Sequence, residues 1–68
     1  MKSNYSKRIY ELRLEKGLSQ SSLAKEIGVT QKAIDFWEKA INEPKATFII
    51  NLSQFFGVST DYLLGLED

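Results

Sequence analysis

The chain has 68 residues, of which 43% are hydrophobic and 26% charged, with nine Lys and Arg balanced by nine Asp and Glu. A chain of this length predicts one small domain, covering residues 1–68, with an apolar-rich core. It contains no Cys or His, which excludes disulfides, thiolate zinc sites and most imidazole chemistry, so we expect no metal and no cofactor. The absence of a long apolar run or a leader favours a cytoplasmic protein without a membrane segment.

The first half of the chain predicts two short helices with clear ends. The first is expected over about residues 6–16, and Gly17 supplies a left-handed residue where it stops. The second is expected over residues 20–27, with Ser19 as its N-cap and Gly28 at its end. The spacing of the apolar residues is helical in both segments.

Three further helices are predicted in the second half. Thr30 precedes one at about residues 31–39, and Asn42-Glu43-Pro44 then forms a loop because proline restricts the residue before it. The others are expected at residues 45–56 and 60–64, the last one capped by Ser59. No strand alternation is present, so the predicted fold class is all-α with five short helices. The predicted core residues are Ile9, Leu12, Leu23, Ala24, Ile27, Ala33, Ile34, Trp37, Phe48, Ile49, Leu52 and either Phe55 or Phe56.

The segment over residues 20–39 has the pattern of a helix-turn-helix. Two short helices meet at Gly28-Val29, where glycine can take the positive φ that a sharp turn needs. Ala24 stands where the two helices cross, and its small side chain permits a close approach. In this motif the second helix enters the major groove of DNA.

Several segments carry a family resemblance: LR at residues 12–13, GLSQSSLA at 17–24, IGVTQ at 27–31, WE at 37–38, NEP at 42–44 and FGVSTDYLL at 56–64. Together they extend over about residues 7–65. They resemble the XRE family of phage-repressor and Cro-type proteins. The resemblance implies a lambda-repressor-like domain that binds double-stranded operator DNA, usually (pseudo)palindromic, as a homodimer, and that regulates transcription in the manner of a repressor.

The resemblance also implies which residues contact DNA. On the third helix, the positions that face base edges are Gln31, Lys32 and Phe36, and we place Asp35 with them. The positions that contact phosphates are Gln20, Lys39, Asn42 and Lys45. Geometry agrees in part, since positions 32, 36 and 39 point away from the core when residues 34 and 37 point inward. Asp35 would either accept from a cytosine amine or neutralise Lys32 or Lys39.

Four residues carry more specific expectations. The family pairs the positions of Arg13 and Glu38, so we expect a buried or half-buried ion pair between the first and third helices. Phe36 is expected to be exposed in the free protein and to touch thymine methyls on DNA, with packing over Lys32 or the Pro44 loop as the alternative. Ala40 replaces the usual glycine, so the third helix either ends differently or is strained by ~1 kcal/mol.

Departures and alternatives complete the interpretation. Lys45 replaces a Ser or Thr cap and exchanges the cap for a phosphate contact. The family pairs through the region of Thr60, Tyr62 and the loop between the third and fourth helices, so the resemblance implies a dimer there, which we expect to be weak in solution. Met1 and the short tail favour a complete chain without a sensor domain. An enzyme is not expected, since Glu11 and Glu15 at helical spacing usually form a solvated face. The alternative function is a protein-interaction module on the same fold, such as an antitoxin or antirepressor subunit.

Overall fold

The computed structural model describes residues 4–67, and side-chain caps begin three of its helices. This part of the chain forms α1 (Tyr5–Glu15), α2 (Gln20–Ile27), α3 (Gln31–Glu38), α4 (Ala46–Phe56) and α5 (Thr60–Leu63), without a strand. The hydroxyls of Ser19, Thr30 and Ser59 accept from backbone N–H groups three residues later, at 2.9–3.1 Å. The predicted all-α fold is confirmed, and every predicted helix bound lies within one residue of the observed one.

Each helix contributes one aliphatic side chain to a common buried centre. The fully buried residues are Ile9, Leu23, Ile34, Leu52 and Leu63. Around them α2 packs on α3 and α4, α1 packs on α3 and α5, and α4 packs on α5. Phe55 and Phe56 are both half-buried at the edge of this core, so neither is the single inward residue that the sequence predicted.

The turn between α2 and α3 is made by one glycine in a left-handed conformation. Gly28 has a φ of +84°, and the N–H groups of Gly28 and Val29 both donate to the Ala24 carbonyl, at 2.8 and 3.0 Å. Ala24 is buried at the crossing of the two helices, as its small size predicted. The sharp turn leaves one side of α3 packed on the core and the opposite side free.

The C-terminal end of α3 uses the same left-handed geometry without a glycine. Ala40 has a φ of +59° and is the one non-glycine residue between residues 4 and 67 with a positive φ. Its N–H donates to Trp37 and the N–H of Ile41 donates back to Phe36, at 3.1 and 2.9 Å. The strain expected at Ala40 is therefore present, and its left-handed conformation lowers the free energy of unfolding by about 1 kcal/mol.

Two long-range contacts fasten α1 to later parts of the chain. The Tyr5 hydroxyl donates to the Asn42 carbonyl at 3.1 Å and so ties the α3–α4 loop to α1. Burial raises the pKa of the Tyr5 phenol, and the charge of Glu43 adds to the effect. The N–H of Asn4 donates to the Leu64 carbonyl at 2.8 Å.

None of the helices in the described region combines the length and apolar character needed to cross a bilayer.

Candidate nucleic-acid interface

One side of α3, the inner side, packs against the core, and the opposite, outer side faces solvent. Ile34 and Trp37 are buried against the core. On the outer side, Gln31, Lys32 and Lys39 are exposed, and Asp35 and Phe36 are half-buried. The structure therefore brings together the residues of α3 that the sequence singled out, on one side of one helix.

The side chain of Gln20 links α2 to both carboxylates of α3. Its Nε2 donates to Asp35 Oδ1 at 3.2 Å and to Glu38 Oε1 at 3.1 Å. A glutamine amide has two N–H hydrogens, so both are engaged inside the protein. In this arrangement Gln20 has no side-chain donor left for a phosphate.

Gln31 is held at the start of α3 by the neighbouring helix. The Ser21 hydroxyl donates to Gln31 Oε1 at 3.0 Å, and Gln31 Nε2 approaches Gln20 Oε1 at 3.5 Å. The amide that would read a base is thus oriented from α2 before any DNA arrives. Sequence reasoning did not find the role of Ser21, because it depends on how the two helices cross.

Asp35 neutralises Lys39 rather than Lys32 in the free protein. The Lys39 Nζ lies 3.0 Å from Asp35 Oδ2, one helical turn apart, and the pair is partly solvated. Hydrogen bonds from Lys39 and Gln20 hold the pKa of the Asp35 carboxyl below its usual range. Of the expected partners of Asp35, Lys39 is therefore the one that neutralises it in the free protein.

Phe36 is half-buried, so the expectation that it would be exposed in the free protein is wrong. Lys32, one turn earlier, lies beside it, with its Nζ 5.6 Å from the centre of the Phe36 ring. Residues at this spacing are neighbours on a helix, and an ammonium is attracted to an aromatic face. The alternative in which Phe36 packs with Lys32 describes the free structure better.

Arg13 and Glu38 form a two-point ion pair between α1 and α3. Arg13 Nε lies 2.7 Å from Glu38 Oε2, and the distance from Arg13 NH2 to Glu38 Oε1 is 3.0 Å. The remaining Arg13 amine donates to the Leu18 carbonyl at 2.9 Å. The side chains are 10% and 6% exposed, and the bond to Glu38 raises the pKa of the Arg13 guanidinium. This pair joins α1 to α3 at a site that is nearly closed to solvent.

The two remaining phosphate candidates lie beyond α3, in the loop and at the start of α4. Asn42 and Lys45 are both exposed. Lys45 is the N-cap of α4 and its side chain makes no capping bond, which leaves its ammonium available. The hydrogen bond from the Tyr5 hydroxyl to the Asn42 carbonyl ties this loop to α1, and sequence reasoning did not find it.

Comparison with known proteins gives matches along most of the chain. The helix-turn-helix family model matches residues 9–63. An uncharacterised HTH-type transcriptional regulator of Rickettsia conorii is 40% identical over 63 residues, which are 91% of this chain and 50% of that protein. The chain thus spans about half the length of the curated relatives it matches.

Two solved protein–DNA complexes share the fold. The c2 repressor of phage P22, solved with a synthetic operator, is 33% identical with a TM-score of 0.87, covering 93% of this chain and 96% of that one. SinR, a master regulator of biofilm formation from Bacillus subtilis solved with DNA, is 33% identical with a TM-score of 0.80, covering 88% and 97%.

Proposed function

Since the chain belongs to the XRE-type helix-turn-helix family of transcriptional regulators, we propose that it is a repressor-like regulator that places α3 in the major groove of operator DNA. The observation that carries this proposal is the two-sided character of α3. Ile34 and Trp37 anchor one side in the core, and Gln31, Lys32 and Lys39 project from the other. A rigid helix with polar side chains on its free side suits readout of base edges.

Base readout is assigned to the first turns of α3. Gln31 can bond adenine through both amide atoms, and Lys32 can reach the acceptors of guanine. Phe36 can contact thymine methyl groups once Lys32 moves from its ring to a base. Asp35 has two roles open to it, acceptor for a cytosine amine or partner of Lys39.

Backbone contacts are assigned to the residues that flank α3. The candidates are Gln20 at the start of α2, Lys39 at the end of α3, and Asn42 and Lys45 beyond it. Contacts of this kind fix the register of the protein on the duplex and supply much of the affinity.

Dimeric binding to a (pseudo)palindromic operator in the cytoplasm completes the proposal. A single α3 reads only a few base pairs, and two copies would read half-sites about 34 Å apart. Exposed apolar surface supports such pairing, since Ile41 is 58% exposed in the α3–α4 loop and Ile50 is 47% exposed on α4. Thr60 and Tyr62, also expected in the interface, are half-buried, and the Arg8 guanidinium lies 4.0 Å from the Tyr62 ring centre.

Selection of bound sequences from random duplexes tests the proposal. We expect inverted half-sites centred about 10 base pairs apart, and binding that weakens steeply as salt rises. A single asymmetric site would contradict the dimer alone. Failure to retain any duplex at low salt, with capture of a protein partner, would favour an antitoxin or antirepressor subunit instead.

A further inference from the structure

We infer that Asp35 is a positioning residue that restrains Lys39 and Gln20 and thereby holds the affinity of the protein for the DNA backbone below what its cations would otherwise give. The inference rests on the proposed function. It differs from base readout, because a restraint acts equally on every duplex sequence.

The first support is the supply of hydrogen-bond donors around Asp35. Lys39 Nζ lies 3.0 Å from one oxygen of Asp35, and Gln20 Nε2 lies 3.2 Å from the other. Both of these side chains are phosphate-contacting candidates. A phosphate that recruits either one must therefore compete with a carboxylate that is already in place.

The second support is that, among residues 4–67, Lys39 is the one cation within ion-pair distance of Asp35. Glu38, one turn further along α3, is neutralised by Arg13 at 2.7 Å and remains paired whatever Lys39 does. Lys32, on the preceding turn, has its ammonium over the Phe36 ring. When Lys39 leaves for a phosphate, its ion pair with Asp35 is lost, and that loss is subtracted from the gain of the phosphate contact.

The third support is the exposure of the pair. The Lys39 side chain is 62% exposed and that of Asp35 is 29% exposed, so the ion pair is weak enough to exchange. It attenuates binding without preventing it. Because operators and unrelated sites bind through the same phosphates, the restraint lowers the affinity for both alike.

The test compares the wild type with Asp35→Asn, which removes the charge but keeps an oxygen for the Gln20 amide. Each protein is titrated with an operator duplex recovered by selection and with an unrelated duplex, across a range of salt concentrations. At about 0.1 M salt we expect Asp35→Asn to bind both duplexes about three- to fivefold more tightly, the factor expected of an exposed ion pair. The slope of log affinity against log salt should steepen by about one.

Two controls separate restraint from general charge and from folding. Glu11→Gln removes one negative charge from the exposed surface of α1 and should change affinity much less. Thermal melts check that every variant is folded. In a Lys39→Ala background, Asp35→Asn should lose most of its effect, since the residue to be released is gone.

Each other outcome has a definite meaning. The inference is wrong, and the proposed function stands, if the wild type binds DNA and Asp35→Asn binds it no more tightly. The same conclusion follows if the affinity gained by Asp35→Asn is no larger than that gained by Glu11→Gln, or is equally large in the Lys39→Ala background. Weaker operator binding with altered preference at one base pair makes Asp35 a base-reading residue. If neither the wild type nor any variant binds a duplex, both the inference and the proposed function are wrong. Binding by Asp35→Asn but not by the wild type supports the restraint.

Discussion

The two sides of α3 each carry an ion pair, and the pairs differ in almost every physical respect. On the inner side, Arg13 and Glu38 meet at two points, 2.7 and 3.0 Å apart, with side chains that are 10% and 6% exposed. On the outer side, Lys39 meets Asp35 at one point, 3.0 Å away, and the lysine side chain is 62% exposed. Gln20 donates to one carboxylate of each pair.

The difference shows how one short helix can be both fixed and adjustable. A buried pair cannot lose a partner without leaving an uncompensated charge in the interior. An exposed pair gains little from its own attraction and can exchange a carboxylate for a phosphate at small cost. The inner pair therefore determines where α3 lies, and the outer pair determines which of its side chains are available.

Arg13→Ala removes the inner, buried ion pair, and we expect it to have the largest effect. The Glu38 carboxylate would remain buried without its cation and the Leu18 carbonyl would lose a donor, so we expect ~3–5 kcal/mol less free energy of unfolding. Chemical denaturation monitored by circular dichroism measures it. Lys39→Ala is the matched control and should cost ~1 kcal/mol or less. Equal midpoints for the two variants would show that the inner pair is no stronger than the outer one.

Phe36→Ala tests the boundary between the two sides of α3. Because Phe36 is half-buried, truncation should reduce the free energy of unfolding by ~1–2 kcal/mol, below the ~3–5 kcal/mol typical of a fully buried Phe. It should also weaken operator binding by the folded protein. Replacing thymine by uracil at one operator position should reproduce that loss. Unchanged affinity together with a core-sized loss of stability would place Phe36 on the inner side.

Lys45→Ala tests whether the DNA-facing surface continues past α3 to the start of α4. We expect weaker binding to all duplexes by about three- to tenfold, and a salt slope reduced by about one, because one phosphate contact is removed. Stability should be nearly unchanged, since Lys45 makes no capping bond. Lys7→Ala on α1 is the control of equal charge. A selective loss of operator binding, with unrelated duplexes unaffected, would make Lys45 a base-reading residue.

The smallest expected effect is the pH dependence of the outer pair. The pKa of Asp35 is lowered in the folded state, so the folded protein holds the carboxylate more strongly than the unfolded chain does. Its stabilising contribution is present above the unfolded pKa of about 3.9 and is lost as the pH falls through the folded value. The stability difference between wild type and Asp35→Asn should therefore shrink in acid. A difference that grows as the pH falls would contradict this.

Local chemistry made the fold predictable. Caps such as Ser19 and Ser59 and the glycine at residue 28 act within four residues of themselves, so the sequence shows where helices begin and end. Tyr5 was missed as a core residue because its anchor is the Asn42 carbonyl, 37 positions away. No local pattern signals a contact of that kind.

The site was only partly predictable, for a related reason. The family resemblance supplied the positions that face DNA, and helical geometry supplied their common direction. The partners of those side chains depend on rotamers at the crossing of α2 and α3, where Gln20 engages two carboxylates. Phe36 was predicted to be exposed because helical geometry gives only the direction of a side chain, whereas packing with Lys32, the stated alternative, depends on the rotamers of both residues.

The contact between Asn4 and Leu64 also bears on the topology of the chain. Because the N–H of Asn4 donates to the Leu64 carbonyl at 2.8 Å, the start of α1 and the end of α5 lie side by side. A short peptide could join them, and the exposed turn at Gly17, where an added Cβ would meet no atom within 4 Å, could serve as the new opening. The connectivity would then run from α2 through α5 to α1 around an unchanged core. A permuted chain that folds and melts like the original would show that the order of the helices along the polypeptide can change while their arrangement in space is kept.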